Sequence, residues 1–222
     1  MIDEMSCLLS FLKSTVGQKI MMSVTGVILF GFVVGHMLGN LLVFKGPDAL
    51  NAYAEFLHAK PAMLWGARIV LLSSLLIHVG AALALAQLAR EARPVGYARH
   101  EMIATNFAAR TMRQGGIIIL LFVGYHLLHL TFGVVGPEHM QEDVYRNVVS
   151  GFQSPIISGV YILAMLALGL HLFHGLWSLF QTLGLNHPRY NNLRRCFSAA
   201  TALAICAGNI AIPVAILSGY IS

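Results

Sequence analysis

A chain of 222 residues that is 57% hydrophobic and only 10% charged, with a mean hydropathy of +0.74, falls far short of the charge of a soluble domain, where about 25% is usual. That excludes an ordinary water-exposed fold and points to a bilayer as the main solvent. The formal charge of +5 is not a nucleic-acid signal either, because the basic residues are distributed as a membrane topology would distribute them.

The first 19 residues read as a short amphipathic lead, with Phe11 and Leu12 beside Lys13. Five charge-poor runs follow, at 20–44, 69–89, 115–137, 156–183 and 197–221. Each reaches the roughly 20 residues needed to cross a hydrocarbon core. They predict an all-α membrane protein, a five-transmembrane-helix bundle with helices I–V over about 20–44, 65–89, 113–136, 156–183 and 197–220, forming one integral domain over 1–222. Helix I is too long for a signal-peptide core and has no small-x-small cleavage pattern, so it reads as a retained span.

Between helices I and II, "GPDALNAYAEFLHAKP" opens on a Gly-Pro-Asp turn and closes at Pro61, which predicts a short helix on the outer surface. The acidic loop 134–155, with Glu138, Glu142, Asp143 and Arg146, has room for another. The loop 90–114 is Arg-rich, and "NHPRYNNLRR" makes a tight connection before helix V. With the N-terminus inside, the inner segments hold Lys13, Lys19, Arg90, Arg93, Arg99, Arg110, Arg113, Arg189, Arg194 and Arg195. The outer ones hold only Lys45, Lys60, Arg68 and Arg146. This asymmetry follows the positive-inside rule and puts the C-terminus outside.

Cys7, Cys196 and Cys206 form no C-x-x-C pair. No covalent haem, iron–sulfur or zinc pattern is present, and the three are read as structural, in the way of small buried hydrophobes.

Ten histidines occur in the chain, and six fall inside the predicted spans: His36, His78, His126, His129, His171 and His174. Polar groups at membrane depth are costly and usually functional. At 1.5 Å rise per residue, His36 lies about 25 Å from Lys19, His78 about 18 Å from Arg90, and His126 and His129 about 20 and 24 Å from Arg113. His171 and His174 lie about 20 and 15 Å from Gly184. The depths suggest an outer layer on helices I and III and an inner one on II and IV, with helices III and IV overlapping at about 20 Å. Imidazoles on facing helices are what an iron porphyrin needs on its two faces, and bundle cores build cofactor sites in this way. Depth alone leaves His129 and His174 as rivals, each three residues from its neighbour and on nearly the same helix face. Gly31, Gly35, Gly39, Gly80, Gly124 and Gly169 flank these histidines, either to admit a flat macrocycle or for small-residue helix packing.

The stretches "TGVILFGFVVGHMLGN", "LNAYAEFLHAKP" and "HLFHGLWSL", with the 42-residue step from His36 to His78, together resemble the dihaem cytochrome b membrane-anchor subunit of succinate dehydrogenase/fumarate reductase (succinate:quinone oxidoreductase). The resemblance runs from about Gly17 to the end of helix IV. It implies two b haems between helices I–IV, with His36 and His126 on the outer iron and His78 and His171 on the inner. It further implies a flavoprotein subunit and an iron–sulfur subunit on the inner face, and electron transfer to a membrane quinone, menaquinone before ubiquinone. The dicarboxylate chemistry would lie on the partners, not on this chain. The setting implied is a bacterial inner (cytoplasmic) membrane, and a higher oligomer of the complex is compatible with it.

Lys19, Ser23 and Thr25, near the inner end of helix I, are candidates to receive haem propionates, and His174 reads as a packing residue or a propionate partner. Glu55 and His58, on the outer surface segment, are candidates for proton exchange with quinol. The competing readings are a dihaem b subunit of a hydrogenase or formate dehydrogenase, with another soluble partner, and a His-lined metal or proton transporter, which would call for intramembrane carboxylates.

Overall fold

The computed structural model describes residues 4–92, 107–140 and 142–222; Arg93 and Arg99 of the Arg-rich loop lie outside them. Among the described residues the secondary structure is entirely helical. A lead helix, α1 (Glu4–Lys13), is followed by α2 (Thr15–Asn40), with a 3-10 turn at Leu41–Lys45, and by a short α3 (Pro47–His58). Then come α4 (Pro61–Glu91), α5 (Phe107–Arg110), α6 (Met112–His126) with a π turn at Leu127–Thr131, α7 (Val144–Phe152), α8 (Pro155–Thr182) and α9 (Asn191–Leu217). Five helical segments are long and apolar enough to cross a membrane: Thr15–Lys45, Pro61–Glu91, Met112–Thr131, Pro155–Thr182 and Pro188–Leu217. The chain is a multi-pass membrane protein.

Local chemistry explains most boundaries. The Ser14 side chain accepts a hydrogen bond from Gly17 N–H at 3.1 Å, an N-cap that starts α2. Pro47, Pro61 and Pro155 each sit in the first turn of a helix, where their missing N–H costs nothing. Helix III stops at Thr131 rather than near 136, because Gly133 and Gly136 take positive φ of 62° and 102° and turn the chain out of the helix. Helix V begins at Asn191, six residues before the expected 197. There Arg194 folds back to donate to Leu185 O at 2.8 Å and to Asn191 Oδ1, with its guanidinium 5.0 Å from the Trp177 ring. The two surface helices expected in the loops 46–61 and 134–155 are α3 and α7.

The spans pack closely as pairs, α2 with α4, α6 with α8 and α8 with α9, while α2 touches α8 and α9 more lightly. The first two pairs face one another across a sparser seam. At one end α3 and α7 cap the bundle over a core of Val43, Leu50, Phe152, Tyr161, Ile212 and Ile216. Asn51 ties the cap together: its amide donates to Asp143 Oδ1 and its carbonyl accepts from Tyr145 N–H, both at 3.0 Å. The three cysteines are free. Cys7 and Cys196 are exposed rather than buried, and Cys206 alone packs inward, donating to Met165 O at 3.4 Å.

Candidate cofactor site

Four histidines from four spans meet across the seam in two pairs. His36 of α2 and His126 of α6 have ring centroids 5.7 Å apart, edge-on at 85°. His78 of α4 and His171 of α8 have centroids 6.3 Å apart at 54°. His36 lies four residues before the end of α2 and His126 closes α6, so this pair is near the α3/α7 end. His78 and His171 lie 17 and 16 residues into α4 and α8, roughly 25 Å from that end by helix rise. The pairs therefore occupy different heights.

The spacing suits a metal between the rings. An imidazole nitrogen sits about 2 Å from a first-row metal ion, so two rings on opposite sides of one ion have centroids about 6 Å apart. Both pairs match. His36 is exposed on the chain's own surface, and the other three are half-buried, all within apolar spans. Imidazoles left facing lipid would be costly, whereas a group held between them covers their free edges. No set of three or more His, Cys, Asp or Glu side chains gathers into a metal site among the described residues. Each pair thus offers two imidazole donors from facing helices, a set that a haem iron would accept.

Each ring is oriented differently. The His78 Nδ1 lies 3.0 Å from Met22 O and 3.3 Å from Thr25 Oγ1, so an Nδ1–H donates to α2 and Nε2 is left free. This is the outer-shell arrangement that fixes a ligating histidine. Thr25 is thereby engaged, since its hydroxyl also donates to Met21 O at 2.7 Å; it orients His78 and is not free to receive a propionate. The His126 Nδ1 lies 3.3 Å from the Tyr161 hydroxyl. His36 stacks on Phe32 at 5.1 Å. The buried Nδ1 of His171 has no hydrogen-bond partner, and beside it an apolar cleft of about 180 Å³ opens between Phe107, Thr111, Gly115, Ala167 and Leu170.

His129, a rival to His126 from depth, is 3% exposed and turned away into the cap. A π turn spans Leu127–Thr131, and its Nδ1 meets the Tyr161 hydroxyl at 2.8 Å. His174 is half-buried one turn beyond His171. Ser23 is half-buried and Lys19 exposed on the first half of α2. Glu55 and His58 are exposed on α3, and His58 Nδ1 bonds Ala54 O of its own helix at 2.8 Å. Among the described residues no hydrogen bond joins either to His36 or His126.

The flanking glycines divide between packing and open space. Gly39 and Gly169 pack against Tyr53 and Cys206. Gly31, Gly35, Gly80 and Gly124 border open space, yet a two-residue offset rotates Gly80 and Gly124 about 200° from His78 and His126, away from the seam. The glycines that touch these rings are Gly26, where a Cβ would come 3.4 Å from His78 Cε1, and Gly116, 3.8 Å from His171 Cε1. Neither was legible as a site residue, because each acts on a histidine of another helix.

The family described as the succinate dehydrogenase/fumarate reductase transmembrane subunit matches residues 91–211. The chain is 28% identical over 165 residues to the succinate dehydrogenase cytochrome b558 subunit of Bacillus subtilis (strain 168), covering 73% of this chain and 77% of that protein. No solved structure matches it significantly.

Proposed function

The chain belongs to the succinate dehydrogenase/fumarate reductase transmembrane subunit family, and from that premise we propose that it is a haem-b membrane anchor passing electrons between a soluble flavoprotein/iron–sulfur module and membrane quinone. The observation that carries the proposal is the meeting of four histidines, from four spans, in two pairs with centroids near 6 Å at two heights. Haem iron would supply reversible one-electron chemistry. His36 with His126, and His78 with His171, are the residues proposed to hold two haems.

The rest of the chain's part is binding and exclusion. Met22 O and Thr25 Oγ1 hold the His78 ring in the tautomer whose Nε2 lone pair is available. Gly26 and Gly116 allow helix backbones to approach the rings. The apolar spans keep water from the seam. Lys19 and Ser23, on the half of α2 away from the α3/α7 cap, are proposed to hold propionates. Glu55 and His58 are proposed to exchange protons with quinol, menaquinone before ubiquinone, at the α3/α7 end.

The charge asymmetry supports a cytoplasmic N-terminus in a bacterial inner membrane, with the C-terminus and the α3/α7 cap outside. The soluble module then docks on the inner face. No observation favours the hydrogenase, formate dehydrogenase or transporter readings over the family assignment. A reduced-minus-oxidised spectrum of the purified chain, with haem quantified per polypeptide, tests the proposal. Two low-spin b-type components are expected; a colourless, correctly inserted protein overturns it. Replacing Glu55 and His58 together is expected to abolish quinone turnover with the haem spectrum intact.

A further inference from the structure

The Tyr161 hydroxyl stands between two histidine nitrogens, 3.3 Å from His126 Nδ1 and 2.8 Å from His129 Nδ1. Its ring is boxed edge-on by Phe122 at 4.9 Å and Phe152 at 4.7 Å and is 6% exposed. The hydroxyl therefore has little freedom to swing. His129 is equally confined. Tyr125 stacks on it at 5.8 Å, and a Cβ at Gly136 or Gly151 would come within 2.7 or 2.8 Å of its ring. The π turn at Leu127–Thr131 is the local device that brings it there. Such turns recur at functional sites because they redirect side chains by one register step.

The direction of this chain of hydrogen bonds follows from the role of His126. A ring that gives its Nε2 lone pair to a metal carries its proton on Nδ1, so His126 must donate and Tyr161 must accept. Among the described residues the Tyr161 O–H then has Nδ1 of His129 as its acceptor, which leaves the His129 proton on Nε2. One arrangement thus pairs both Nδ1 atoms with the Tyr161 hydroxyl.

We propose that Tyr161, held by His129, is the positioning residue of the His126–His36 site. By accepting the His126 Nδ1–H it fixes the ligating tautomer, raises the basicity of that ring and lowers the reduction potential of the haem it holds. This rests on the proposed function. Among the described residues the other site has no such chain: His78 donates to a backbone carbonyl, and the His171 Nδ1 has no partner. Outer-shell acceptors of this kind tune a metal through its ligand, so the two haems are held by differently polarised imidazoles.

The test is a redox titration of the two b-type components in membranes containing the full chain. The component lost on His36→Ala identifies the site concerned. In Tyr161→Phe, that component's midpoint is expected to move upward while the other stays. Selective loss of that haem with the other retained supports the proposal equally. His129→Leu should repeat the shift, and His129→Gln, whose amide oxygen can still accept from Tyr161, should largely restore the wild-type midpoint. Equal shifts of both components, loss of both haems, or no shift at all would overturn it. Absence of haem from the wild-type chain would instead bring down the proposed function, and this inference with it.

Discussion

The imidazoles of His36 and His126 meet edge-on across the seam, with centroids 5.7 Å apart, although the two residues lie 90 positions apart in the chain. Among the described residues no hydrogen bond joins them, so a shared ligand is what would make them one site. Each is then worthless without the other. Replacing either by alanine should remove the same spectral component, and the double variant should be no worse than either single one. His78→Ala and His171→Ala should together define the second component. Haem quantified per chain in the four single and two double variants checks this. Independent, additive losses from His36 and His126 would contradict the pairing.

The close pass of Gly26 beside His78 makes a second prediction. A methyl there would sit 3.4 Å from the ring, an ordinary contact, so Gly26→Ala should load both haems. Gly26→Leu has no such room and must push the imidazole off Met22 O and Thr25 Oγ1. It should lose the His78–His171 component and leave the other near full occupancy, as read from the reduced spectrum.

What could be read ahead of the structure divides along a physical line. The five spans, the surface helices α3 and α7 and the depth of His36, His78, His126 and His171 depend on local properties: apolar run length, turn chemistry and helix rise. That His126 rather than His129 faces His36 did not, because the π turn at Leu127–Thr131 and the glycines 136 and 151 act only when the cap folds over helix III. Thr25 looked like a free hydroxyl from its place on α2; only the neighbouring α4 brings His78 to it. The glycines beside the histidines left two readings open for a related reason. Sequence neighbours two apart point to opposite sides of a helix, while Gly26 and Gly116 are adjacent to their histidines only in space.

The clasp around His129 predicts a stability effect separable from any cofactor. A Cβ at Gly151 would lie 2.8 Å from the His129 ring, and that ring has nowhere to retreat, being pinned by Tyr125 and Tyr161. Gly151→Ala should destabilise the chain by about 1–3 kcal/mol, the usual cost of overfilling a packed site. Gly136→Ala adds a left-handed backbone that alanine disfavours and should cost more. Thermal denaturation in detergent measures both. Combining Gly151→Ala with His129→Ala should recover part of the loss, and a purely additive double variant would show that the ring is not the obstacle.

The clamp between α3 and α7 is titratable. Asp143 accepts the Arg146 N–H, which caps α7, and the Asn51 amide, each at 3.0 Å. The backbone bond from Arg146, then the Asn51 amide and the nearby Arg146 charge, hold its carboxyl below the usual carboxylate range. A carboxyl lowered on folding contributes stability that is fully present above its unfolded pKa and is lost as pH falls through the folded one. Asp143→Asn keeps an acceptor for the cap without the charge. The wild type should therefore exceed this variant in melting temperature near neutral pH, and the difference should shrink as the medium is acidified below the ordinary carboxylate range. Asp143→Ala, which loses the cap altogether, should cost about 1 kcal/mol and weaken the hold of α7 on α3. A pH-independent gap between wild type and Asp143→Asn would show that the carboxylate charge plays no part in closing this end of the bundle.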